Sequence, residues 1–289
     1  MDRLNALLDR LAPPSQAHPE RGPREVLGLC AGLVILLGLS KPLLDGALGL
    51  PGAAFTLAAA WQLVIPLDRL DRARIPPRAY GIHAHGLVGV PLRILSYALV
   101  RLLRPRGRRR ARAVSWWLHP YTVGARLDGR GAARSLGLAM LACAVTFPPF
   151  AWGYVEVQRW LAAQSGHSIK VAWQLPAGFA ALMFTHLVVV AVPEELFYRG
   201  YVHTLLARAW PPRVTVLGAG LGKAVLLGSA WFALGHFVGE WNPTRLLPFF
   251  PALLFCALRS SSGSILAAVV YHGLSNVIGE VVRVSVTWS

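Results

Sequence analysis

Apolar residues run along this chain in long blocks separated by short polar connections. The first block extends from about Val26 to Ser40 and the second from Ala47 to Leu67, with Lys41-Pro42 and Asp45 in the tight connection between them. A third covers Leu136 to Tyr154, its far end bent at Phe147-Pro148-Pro149-Phe150. The fourth begins near Trp173 and is expected to continue as one long helix to about Arg208, where Pro211-Pro212 stops it. The fifth runs from Val214 to about His236, the sixth from Leu246 to Leu258 and the seventh from Ser264 to Val282. Roughly 20 apolar residues are needed to span a hydrocarbon core. The pattern therefore predicts an all-α polytopic membrane protein, a bundle of about seven transmembrane helices.

Between the blocks the pattern changes. Leu4, Leu7, Leu8 and Leu11 recur at helical spacing and predict a short amphipathic helix ended by Pro13-Pro14. From Pro91 to Arg104, Arg93, Arg101 and Arg104 share one helical face and leucines the other, as in a helix lying in the membrane interface. Arg104 to Arg112 reads as a solvated basic run. Three regions follow: 1–67, an amphipathic segment and transmembrane hairpin; 68–134, a basic cytoplasmic and interfacial region; and 135–289, a transmembrane core.

Composition supports the membrane reading. The 289 residues are 55% hydrophobic and 15% charged, where a soluble domain carries about 25%, and mean hydropathy is +0.49. The net charge of +16 is unevenly placed: 15 of the 29 Lys and Arg lie between Asp68 and Arg134, against Asp68, Asp71 and Asp128. That block lacks the aromatic interleaving of a nucleic-acid platform. Cytoplasmic loops collect arginine and anionic headgroups attract it, so the expected partner is a lipid surface and not nucleic acid. An integral, multi-pass location follows, with the bacterial inner membrane as the expected site. Trp152, Tyr154, Trp160 and Trp173 around the loop to Lys170 read as an interfacial aromatic belt. Cys30, Cys143 and Cys256 all fall in apolar runs without metal-ligand or disulfide spacing, and read as core residues. His83 and His85 form an isolated HxH with no nearby acid, expected to bind no metal.

Chemistry concentrates in the second half. Pro193-Glu194-Glu195-Leu196-Phe197-Tyr198-Arg199-Gly200 ends an apolar run that starts at Ala180, and two carboxylates in such a place need partners or a role. On a helix Glu195 and Arg199 stand one turn apart and can pair, while Glu194 points about 100° away. One glutamate is held and the other left free. Pro193 cannot donate to the carbonyl four residues back, which adds backbone polarity and a kink beside the free acid. Two further spans each carry a polar face: Phe232 with His236, and His272 with Asn276, both at a spacing of four. By positive-inside counting Glu194 falls near the cytoplasmic end of its span and His236 near the opposite end of the next. They meet only if the fourth helix is long and tilted or the fifth starts deep.

Glu194-Glu195-Leu196-Phe197-Tyr198-Arg199, Phe232-Ala233-Leu234-Gly235-His236 and His272-Gly273-Leu274-Ser275-Asn276 resemble, in this order, the EExxxR, FxxxH and HxxxN motifs of the CPBP family, the CAAX-processing and bacteriocin-processing intramembrane proteases. Ser262-Gly263-Ser264-Ile265-Leu266 resembles the usual lead-in to the third motif. The resemblance covers about residues 173–283 and none of residues 1–130. It implies an intramembrane endopeptidase acting on a membrane-associated protein or peptide, with the active site inside the bundle. Glu194 would be the general base that deprotonates a water and His236 would help hold that water. His272 and Asn276 would stabilise the oxyanion, and Glu195 with Arg199 would shape the site. The chemistry is consistent from below: burial raises a carboxylate's pKa toward the range a neutral-pH base needs, and donors act strongly on an oxyanion where water is excluded. No cofactor is expected. Zinc is the alternative, ligated by Glu194, His236 and His272, although HExxH is absent. A non-catalytic scaffold of the same fold is the alternative from another class.

Overall fold

The structure is a computed structural model describing residues 22–73, 75, 77–85, 128–216 and 218–289. The amphipathic helix expected at Leu4–Leu11, the interfacial helix at 91–104 and the basic run at 104–112 lie outside these residues. Among the described residues the fold is mostly helical. Helix α1 spans Gly22–Ala47, α2 Ala53–Arg72, α3 Gly129–Gln164, α4 Phe179–Ala209, α5 Lys223–Glu240, α6 Phe249–Ser262 and α7 Leu266–Ser285. Each predicted apolar block has a helix. Of these, α1, α3 and α4 are long and apolar enough to cross a membrane by length and composition.

Helix α3 shows why such a surface needs lipid. Its buried positions are the small residues Ala132, Ser135, Ala139, Cys143 and Ala162, while Leu136, Met140, Leu141 and Val145 face outward. Small residues let helix backbones approach closely inside a membrane bundle, and large apolar ones are stable against acyl chains. Trp152, Trp160 and Trp173 are exposed, as a belt requires. Cys30, Cys143 and Cys256 are free and buried.

The helices differ from their expected bounds in several places. Lys41, Pro42 and Asp45 are not a loop: α1 continues through them in a widened, π-type final turn, Lys41–Ala47. Wide turns shift the hydrogen-bonding register and so tolerate the N–H that proline lacks. Helix α3 likewise runs through Pro148 and Pro149 to Gln164. It starts at an N-cap, Asp128, whose side chain accepts from the Gly131 amide at 2.9 Å. The fifth span does not begin at Val214. Val214–Val216 (β1b) and Ala219–Leu221 (β2b) form an antiparallel hairpin pairing Val214 with Leu221, and Lys223 is the exposed first residue of α5.

A second ribbon joins distant parts of the chain. Ile169–Val171 (β1a) pairs antiparallel with Val286–Trp288 (β2a), Ile169 opposite Trp288. This clasp ties the loop before α4 to the end of α7. The basic side of the bundle is closed differently. Arg208 donates to the Tyr80 hydroxyl at 3.2 Å and its guanidinium lies over that ring, 4.4 Å from the centroid. Arg259 donates to the Tyr80 carbonyl at 2.9 Å, so residues 77–85 are fastened to the ends of α4 and α6.

Candidate active site

The segment carrying the two glutamates is wound unusually. Within α4, Thr185–Ala191 and Leu196–Val202 are π-type, flanking the short α-helical stretch Val192–Glu195 that contains Pro193. The expected kink beside Glu194 is thus expressed as two widened stretches, which is how helices absorb a missing N–H without breaking.

Glu195 and Arg199 pair as their spacing predicts. Arg199 Nη1 donates to Glu195 Oε1 at 3.0 Å, with side-chain exposures of 1% and 0%. The guanidinium lies 4.2 Å from the Phe232 ring centroid and 4.6 Å from that of Phe255, so aromatic faces take the place of water around the cation. The same Glu195 oxygen also receives His272 Nδ1 at 2.8 Å. An ionised carboxylate only accepts, so Nδ1 carries the proton and His272 Nε2 is turned toward Glu194, whose Oε2 is 3.6 Å away. The His272 ring stacks on Phe255, 4.7 Å between centroids at 19°, and meets Phe232 edge-on at 5.8 Å. Its orientation is fixed from three sides.

His236 is oriented by its own helix. Nδ1 lies 3.0 Å from the Phe232 carbonyl, an acceptor, so this nitrogen is the donor and Nε2 is left as an acceptor. The Phe232 and His236 rings are 4.5 Å apart, as the FxxxH spacing predicts.

Glu194, His236, His272 and Asn276 all line one cavity of about 1280 Å³. Glu195 and Arg199 are not on its wall but directly behind it. The depth conflict expected from positive-inside counting disappears, because α5 starts only at Lys223. Glu194 is about 15 residues before the end of α4 and His236 about 13 after the start of α5, roughly 20 Å along each helix from the connecting hairpin. Two glycines allow the approach. A Cβ on Gly273 would sit 2.5 Å from Leu187 Cδ2 and 3.0 Å from Leu187 Cα, and one on Gly235 would sit 3.0 Å from the Tyr198 hydroxyl.

Sequence reasoning missed part of the wall. Thr146 Oγ1 and Tyr271 Oη, 2.8 Å apart, line the cavity, as do His186 on α4 and Gln62 on α2. The signal for Gln62 was present. Ala54, Ala58, Gln62, Pro66 and Leu70 recur every fourth residue, and all five are buried.

The fold gives the HxH a partner from far along the chain. The sequence neighbourhood of His83 and His85 has no acid, but the fold supplies one: His85 Nδ1 lies 3.2 Å from Asp128 Oδ2 and Nε2 2.8 Å from Ser135 Oγ. Burial, then the neighbouring His85 and Arg259, push the His83 imidazole below its usual range. The pair anchors the segment before α3 to α3 itself. Among the described residues no three His, Cys, Asp or Glu side chains group so as to hold a metal ion.

These features define a helical-bundle site with a carboxylate, two oriented imidazoles and a carboxamide around one cavity. Residues 176–278 match the family described as Rce1-like, type II CAAX prenyl endopeptidase Rce1-like. That segment is consistent with the CPBP resemblance read from the motifs, and holds all six residues named from them. No curated protein and no solved structure matches the chain.

Proposed function

We propose that this protein is an intramembrane endopeptidase that hydrolyses a peptide bond by a glutamate-activated water, within a bundle of seven spans. The observation that carries the reading is that the carboxylate not paired with arginine, Glu194, shares one cavity wall with His236, His272 and Asn276 while Glu195, behind it, holds Arg199 and His272 through Oε1. A water between Glu194 and His236 Nε2 would give one proton to the carboxylate and its other hydrogen bond to the imidazole. Attack on the scissile carbonyl leaves an oxyanion for the Asn276 amide and, when its Nε2 is protonated as well, for His272. Glu195 steadies any positive charge that His272 gains, as a buried carboxylate does for a catalytic imidazole. Glu194 then returns its proton to the leaving amine. No step is routed through zinc; the Glu194 carboxylate alone activates the water. The Rce1-like match makes a prenylated CAAX-type peptide the first substrate to test. The basic region is proposed to lie on the cytoplasmic leaflet, against anionic headgroups.

The test is turnover of an internally quenched, prenylated CAAX peptide by purified protein and by Glu194→Gln. The variant is expected to retain its melting temperature and lose at least about 10³-fold in kcat, the scale of removing a general base and its water. Undiminished turnover by Glu194→Gln would overturn the mechanism. Absence of turnover by the wild-type protein would favour the scaffold reading.

A further inference from the structure

The buried stripe of α2 is apolar or small except at its centre. Gln62 is 6% exposed, lines the cavity, and makes no hydrogen bond among the described residues. Its helix packs against Val192–Val202, the stretch carrying Glu194, and both Gln62 and Glu194 line the same cavity. On α2 the cavity wall is formed by Gly52, Phe55, Thr56, Ala58, Ala59 and Gln62; the Thr56 hydroxyl donates to the Gly52 carbonyl at 3.0 Å, so the carboxamide is the uncommitted polar group of that wall. The amide is not enclosed by protein but opens onto the cavity, so its hydrogen-bonding capacity is left to whatever occupies that space. Gln62 also lies outside residues 176–278.

We infer that Gln62 binds the backbone of the peptide substrate, pairing its carboxamide with one peptide group of the extended chain beside the scissile bond. The inference rests on the endopeptidase reading above. The chemistry is specific. A primary amide offers a donor and an acceptor in one plane, the complement of a peptide N–H and C=O. A peptide drawn into a membrane bundle loses the water that satisfied those groups, and the protein must replace it. The group is neutral, so it holds the chain without placing a second charge opposite Glu194. Positioned on α2, it would clamp the substrate from the wall facing the catalytic helices. It is a positioning residue, contributing equally to the bound substrate and the transition state.

The experiment compares wild type, Gln62→Leu, Gln62→Asn and Glu194→Gln on the quenched prenylated CAAX peptide, with melting temperatures measured in the same detergent. Gln62→Leu keeps the size and removes the unpaired amide, so its melting temperature is expected to hold or rise. Its KM is expected to rise about tenfold with kcat within about twofold, the signature of lost uniform binding. A peptide series in which single amides flanking the cleavage site are replaced by esters locates the partner. At one position the ester should raise the wild-type KM and have no effect on Gln62→Leu. Unchanged KM in Gln62→Leu, or a fall in kcat alone, overturns the inference while an inactive Glu194→Gln still supports the endopeptidase reading. A melting temperature that falls in Gln62→Leu and recovers in Gln62→Asn assigns a structural role and overturns it too. No turnover by the wild type removes both readings.

Discussion

Removing Arg199 tests whether the ion pair behind the cavity holds the fold as the geometry requires. In Arg199→Ala, Glu195 is left with 0% exposure and only His272 as a partner. Deleting one member of a buried pair costs about 3–5 kcal/mol, because the other charge stays desolvated. The cation also loses its places over Phe232 and Phe255, contacts of about 1–2 kcal/mol each that overlap with the first loss. A destabilisation of about 4 kcal/mol is the working figure. At about 2–4 °C per kcal/mol for a chain of this size, the melting temperature should fall by about 8–16 °C. Intrinsic tryptophan fluorescence in detergent measures it. Glu195→Gln should show a similar loss, since Arg199 is then the unpaired charge. The double variant Arg199→Ala with Glu195→Gln should be less destabilised than the sum of the singles by about 2 kcal/mol or more. Single variants that melt within about 2 °C of wild type, or a double variant equal to the sum, would refute the assignment of these residues to the scaffold.

The metal question and the close helix approach give the remaining outcomes. Exhaustive chelation is expected to leave turnover of the quenched peptide intact. His236→Ala should slow hydrolysis without changing metal content by elemental analysis, and stoichiometric zinc in active protein, lost in that variant, would reverse the conclusion. Gly273→Ala should cost about 1–3 kcal/mol and lower turnover, because the new methyl meets the Leu187 backbone. Gly279→Ala, with open space around it, should be neutral or stabilising, and equal melting of the two variants would refute the close-approach argument.

Much of this architecture was legible in the sequence, because a bilayer-length apolar run states its own structure. The pairing of Glu195 with Arg199 and the contact of Phe232 with His236 follow from a spacing of four on a helix. What was not legible depended on partners far away in the chain. Three-residue strands such as Ile169–Val171 carry too little alternation to be seen, and their partner is the last segment. Asp128 is the acid that His85 lacks locally, but only the start of α3 brings it there. Val214 joined the fifth block because its run is apolar throughout; the break lies in Gly218, at φ +81°, and Gly222, not in polarity. Gln62 was a single polar residue in an apolar run, and its importance came from the helix it faces.

The clasp between Ile169–Val171 and Val286–Trp288 also governs which parts of the protein can open without the rest. Ser168 and Ser289 exchange backbone hydrogen bonds in both directions, and Ala172 donates to the Ser285 carbonyl. The leading end of α4, upstream of Glu194, and the trailing end of α7, beyond Asn276, are thereby one cooperative unit. Any fluctuation that parts these helices on this side must first release the ribbon. Opening of the ribbon is thus coupled to separation of the two helices that carry Glu194 and Asn276. The lifetime of the closed ribbon therefore sets a limit on how often that side of the bundle can breathe.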